Sequence, residues 1–285
     1  MKLAIASGKG GTGKTTIAVS LALTAIENGI PVTFYDCDVE APNAALFLRP
    51  ELQQSMAASI PVPEIDQDLC TLCGQCVEVC AYNALALVGD QVLVFNEMCH
   101  GCGSCTSNCP EQAIRERPFR IGEIESGMAG EIRFVHGRMD IGQAMATPII
   151  HTMKKEIPDR EEGLVLLDAP PGSACPVVGT VSGMDYVLMV TEPTPFGFHD
   201  LRQAVNLVRG EMDIPVGVVL NRDGIGDDQV ERYCRENNIP IHLRIPFDRA
   251  IAEAYSDGKT LTAAKPELKQ DFMRMFESIA RQVNV

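Results

Sequence analysis

The chain has 285 residues, 46% hydrophobic and 22% charged, with a net charge of −14; this suits one large α/β domain plus a small module and excludes a disordered chain. So acidic a protein is a poor general binder of nucleic acid or of anionic membranes, because both need Lys and Arg to meet phosphate. No apolar run approaches the ~20 residues that cross a bilayer, and a glycine-rich loop begins at Gly8, so no cleaved leader is expected; in the cytoplasm that this implies, eleven cysteines would not serve as disulfides.

In chain order, Lys2 to Ser7 reads as a short buried strand and Lys14 to Glu27 as a helix closed by Asn28-Gly29. Between them, Gly8-Lys9-Gly10-Gly11-Thr12-Gly13-Lys14-Thr15 fits G-x-x-x-x-G-K-[ST], and Thr16 continues it. Glycines let the backbone curl until its N–H groups face phosphate oxygens; Lys14 can reach the β/γ-phosphates and the Thr15 hydroxyl can bind Mg²⁺. Val32 to Tyr35 is a second strand, followed by Asp36-Cys37-Asp38.

From about Ile60 to Pro118 the pattern breaks, with Pro61, Pro63, Pro110 and Pro118 near the borders. Cys70, Cys73, Cys76 and Cys80 form one C-x₂-C-x₂-C-x₃-C run; Cys99, Cys102, Cys105 and Cys109 form another, followed by Pro110. Each cysteine of the second run lies 29 residues after its counterpart, an internal duplication. Structural zinc normally pairs C-x₂-C units across longer loops, so the spacing points to iron–sulfur clusters. The segment resembles bacterial two-cluster ferredoxins, although Ala81 replaces the usual proline. That resemblance implies crossed ligation of two [4Fe–4S] clusters: Cys70, Cys73, Cys76 and Cys109 on one, Cys99, Cys102, Cys105 and Cys80 on the other.

Apolar, β-branched runs then resume at Leu164–Leu167, Tyr186–Thr191, Val216–Leu220 and Ile241–Ile245, separated mostly by helix-like stretches. The fold class expected is α/β, a mostly parallel sheet with helices on both faces. The domains expected are a discontinuous nucleotide domain, 1–59 and 119–285, and an inserted α+β module, 60–118. The second lysine of the glycine loop, Lys9, makes it resemble the deviant P-loop of the MinD, ParA and nitrogenase iron protein superfamily. The resemblance implies ATP or ADP with Mg²⁺ in a nucleotide-dependent homodimer, or a heterodimer with a paralogue. Lys9 would cross the dimer interface to the partner's nucleotide, and Asp38 would orient the attacking water. Asp168, opening Asp168-Ala169-Pro170-Pro171-Gly172, would hold Mg²⁺ through water while the Gly172 N–H senses the γ-phosphate. Asn221 and the Pro246-Phe247-Asp248 loop match the family's adenine pocket.

Three cysteines lie outside the runs. Cys175 sits where the nitrogenase iron protein has a cluster ligand, but the second cysteine that site needs is missing, so it reads as a small buried residue. Cys37 reads as filler and Cys234 as incidental. No C-x-x-C occurs outside the module, a departure from Mrp-like cluster carriers. Leu268, Phe272, Met275, Phe276, Ile279 and Val283 recur at helical spacing among balanced charges, which reads as a core-packing helix rather than a membrane anchor. The function expected is an ATPase whose nucleotide state controls electron transfer through two clusters to a redox partner. The alternative is an iron–sulfur scaffold or carrier, or a positioning regulator with clusters as sensors.

Overall fold

A computed structural model describes residues 1–157 and 162–283. Its strands are β1 (Lys2–Ala6), β2 (Val32–Asp36), β3 (Glu51–Ile65), β4 (Leu85–Val88), β5 (Gln91–Val94), β6 (Ile114–Ala129), β7 (Ile132–Met139), β8 (Leu164–Asp168), β9 (Tyr186–Thr191), β10 (Val216–Asp223) and β11 (Ile241–Pro246). Nine join one sheet in the order β11-β10-β9-β1-β8-β2-β7-β6-β3, and β4 pairs with β5. Pairing is parallel from β11 to β7 and antiparallel for β7-β6 and β6-β3.

The central strands are buried on both faces, which is why they read as near-continuous apolar runs. On one face, Leu3, Ile5, Phe34, Leu166 and Leu188 pack with Ile17, Leu21 and Ala25 of helix Lys14–Glu27 and with Leu268, Phe272, Met275 and Ile279 of helix Leu268–Gln282. The terminal helix is thus a core element. On the other face, Ala4, Tyr35, Val165 and Leu167 pack with Ile149, Ile150 and Met153 of helix Thr147–Lys154, with Val177 and Val181, and with Leu201 and Ala204. No described helix is long and apolar enough to cross a membrane.

β3 and β6 form a long ribbon, registered from Glu51↔Met128 to Ile65↔Ile114. Its base is the sheet edge, where β6 also pairs with β7 from Gly122 to Ala129. Beyond Gly122 it continues as two strands and carries residues 66–113 at its tip. Positions 60 and 118 therefore lie inside continuous strands, not in linkers. Pro61 faces Pro118 there; the ring nitrogens donate nothing, which strands without outer neighbours tolerate.

Candidate functional site

β1 runs into the glycine loop, which delivers the chain to helix Lys14–Glu27. Gly11 (φ +78°) and Gly13 (φ +96°) adopt left-handed backbone, which glycine enters without steric penalty. At Gly13 space also demands it, since a Cβ would lie 2.6 Å from Asn221 Nδ2. Asn221 Nδ2 donates to the Thr12 carbonyl at 2.7 Å, tying the end of β10 to the loop. A cleft of about 480 Å³ opens over these elements. Gly10, Gly11, Gly13, Lys14, Thr15, Thr16 and Asp38 line it together with Asn221, Pro246, Phe247 and Tyr255.

The remaining predicted residues lie behind or beside the cleft. Gly8 packs against the Asp200 backbone. Thr12 is buried. Lys9 turns away to Glu192, with Nζ 3.4 Å from Oε2. The Gly172 N–H donates to the Ser7 carbonyl at 3.0 Å. Cys175, read from sequence as buried, is exposed: it opens helix Cys175–Val181 directly after the Pro-Pro-Gly loop and so stays outside the core.

Asp36 and Asp168 end neighbouring strands in register and are fully buried. Asp36 accepts from the backbone N–H groups of Asp38, Asn43 and Ala44. Burial, with repulsion from nearby carboxylates, holds both acids above the usual carboxylate range; Lys14 and the Thr15 hydroxyl counter this at Asp168. Thr15 Oγ1 donates to Asp168 Oδ2 at 2.5 Å, while Asp168 Oδ1 is buried without a hydrogen-bond partner. Crowded carboxylates with an orphaned oxygen beside a hydroxyl fit a hydrated divalent cation.

The cysteine-rich module repeats its backbone as well as its sequence. Leu72 and Gly74 have positive φ, as do Gly101 and Gly103, 29 residues on. Short helices Gln75–Glu78 and Ser104–Ser107 follow at the same offset. Ala84 N–H points at Cys80 Sγ and Ala113 N–H at Cys109 Sγ, each at 3.3 Å. Ile65 pairs with Ile114 and Leu85 with Val94, so each repeat lends a strand to the other.

Two small cavities result. Cys70, Cys73, Cys76 and Cys109 border the first; Cys80, Cys99, Cys102 and Cys105 border the second. Sequence-distant Cys109 therefore joins the first run, and Cys80 the second. Among the described residues no three His, Cys, Asp or Glu side chains converge as a single metal ion would require; the thiols ring hollows instead, the arrangement a multi-iron group fits. The second cavity adjoins the main core, to which Cys99 and Ala84 belong. Tyr82 and His100 stack on its wall, ring centroids 3.5 Å apart.

Among known families, residues 3–261 match the CobQ/CobB/MinD/ParA nucleotide binding domain. An uncharacterized protein of Methanocaldococcus jannaschii is 32% identical over 261 residues, 91% of each chain. The iron-sulfur cluster carrier protein of Pyrococcus abyssi is 22% identical over 89% of this chain and 76% of its own. Among solved structures, the septum site-determining protein MinD of Pyrococcus horikoshii, complexed with Mg-ADP, shares the fold at a TM-score of 0.60; it is 18% identical, with 98% of this chain and 95% of that one covered.

Proposed function

The chain belongs to the CobQ/CobB/MinD/ParA nucleotide-binding family, and from that premise we propose that it is an ATP-hydrolysing dimer that holds two [4Fe–4S] clusters on a ferredoxin-like module and passes cluster to an acceptor protein. The observation that carries the reading is the pair of four-cysteine cavities on a ribbon continuous with the nucleotide-binding sheet. Relatives named iron-sulfur cluster carrier proteins support it. The missing C-x-x-C outside the module argues the other way, so transfer must be measured directly.

In the nucleotide cleft, the glycine-loop amides and Lys14 meet the phosphates, and Asn221, Pro246 and Phe247 enclose the base. Thr15 and Asp168 would hold Mg²⁺, which when bound would neutralise phosphate charge. Asp38, on the cleft wall, orients the attacking water. Gly172 reaches the γ-phosphate once its bond to Ser7 opens, and Lys9 acts across the dimer.

Anaerobic purification should yield about eight Fe and eight sulfide per chain, from two four-iron groups. Mixing with an apo-protein that needs a [4Fe–4S] cluster should then activate it, faster with ATP. Stoichiometric zinc without sulfide would sink the reading. A second reading, electron transfer to a redox partner, is favoured by the interleaved cysteines, since release of either cluster must disturb both runs. Clusters that cycle under dithionite and oxidant but never transfer would decide for it.

A further inference from the structure

Glu192 follows the last residue of β9, at the carboxyl end of a parallel strand flanked by β1 and β10. Ligands collect in that position in such sheets. Its side chain is only 7% exposed, and two cations meet it. Arg222 Nη1 donates to Oε1 at 2.6 Å, and Lys9 Nζ to Oε2 at 3.4 Å. Arg222 Nη2 also reaches the Gly11 carbonyl at 3.4 Å. Its backbone is left-handed (φ +56°), and its N–H is held by Asn221 Oδ1 at 2.9 Å. Arg222 thus stands on the cleft wall between Glu192 and the glycine loop.

The two cations are not equivalent. A buried carboxylate needs a cation, and Arg222 supplies one at short range. The Lys9 contact is longer, 3.4 Å against 2.6 Å, and Arg222, although the more exposed side chain at 46% against 33%, is also anchored on the Gly11 carbonyl. Lys9 can therefore leave without stranding Glu192, whereas Arg222 cannot.

We infer that Glu192 is a positioning residue that keeps Lys9 on its own subunit until nucleotide is present, then yields it to the phosphates of a second copy while Arg222 retains Glu192. The inference deepens the dimer reading above and rests on it. The exchange is driven by charge: the carboxylate is already shared with Arg222, whereas a bound triphosphate offers Lys9 several negative oxygens inside a desolvated interface.

The test is analytical ultracentrifugation of the full chain with Mg²⁺ and a non-hydrolysable ATP analogue, read as the protein concentration at half-dimerisation. Glu192→Gln removes the charge; Glu192→Asp keeps it for Arg222 but withdraws it from Lys9. Each should lower that concentration by about three- to fivefold, the range expected for loss of one long, partly screened ion pair. In a Lys9→Ala background, where that dimer is lost, neither should change the affinity of the chain for the analogue. A purely structural Glu192 would instead weaken analogue binding equally with and without Lys9, and that result overturns the inference. So does unchanged dimerisation in both single variants. A wild-type chain that never dimerises with the analogue removes the dimer reading and this inference together, before any variant is made.

Discussion

The nucleotide cleft and the cysteine module are built on opposite plans. The cleft gathers residues from strand ends far apart in the chain, Lys14 after β1, Asp38 after β2, Asn221 in β10 and Phe247 after β11. The module is local, one backbone used twice within residues 66–113. The cleft rests on two large cores, whereas the module has a small cluster of Cys76, Leu85, Val92, Cys105 and Ile114. So small a core stabilises little by itself, and metal binding or a scaffold must supply the rest. The lesson is that the cleft should tolerate loss of its ligand, whereas the module should not.

Lys14→Ala tests the separation with the largest effect. It should weaken ATP binding by at least about a hundredfold, since the charge nearest the β/γ-phosphates is lost, while iron and sulfide content stay unchanged. Calorimetric titration beside metal analysis checks both; iron lost with ATP affinity would mean that the regions do not fold independently. Cys76→Ala and Cys109→Ala should each remove the same one of the two clusters, halving the iron, because both residues border the first cavity. Electron paramagnetic resonance showing different clusters lost would break the crossed arrangement.

Stability should divide along the same line. Phe272 is fully buried against the sheet, so Phe272→Ala should cost about 3–5 kcal/mol of unfolding free energy. Circular dichroism during urea unfolding should show this in the main transition, with the module's visible absorbance lost in a separate step. The smallest effect concerns acid. Burial lowers His242 to about 4, and its Nε2 lies 2.9 Å from the Tyr186 hydroxyl. Between the unfolded value of about 6.5 and the folded one, the unfolded chain binds a proton that the folded chain refuses. Stability should be complete above that window and fall as pH drops through it, by on the order of 1–2 kcal/mol after solvent screening. His242→Asn should flatten the profile; an unchanged slope would place the acid sensitivity elsewhere.

Those contrasts also explain what the sequence reveals. Where chemistry dictates residue identity, as in the glycine loop or the 29-residue cysteine repeat, the pattern is plain. Buried parallel strands such as Leu164–Asp168 announce themselves by continuous apolar residues. β3, β6 and β7 do not. Much of β3 is exposed, and the ribbon carries Pro61, Pro118 and several arginines, which resemble a loop until pairing is known. Glu192 and Arg222 are equally silent, because their ion pair joins residues thirty positions apart through a strand order that no local pattern encodes. Lys9 is recognisable as a motif, but its orientation depends on those two unannounced partners. The misreading of Cys175 has the same origin, since exposure there follows from where a loop ends.

The pairing of Ile65 with Ile114 has a genealogical consequence. Strands in register at their last residues bring the two ends of the intervening 66–113 segment side by side, about 5 Å apart between α-carbons for an antiparallel pair. A segment with adjoining ends can be spliced into a hairpin turn in a single genetic event without displacing the host strands. Such an ancestor would have closed β3 onto β6 with a short turn and kept its sheet. Replacing residues 66–113 by Asn-Gly, the preferred two-residue hairpin loop, should therefore leave a folded, iron-free chain that still binds nucleotide.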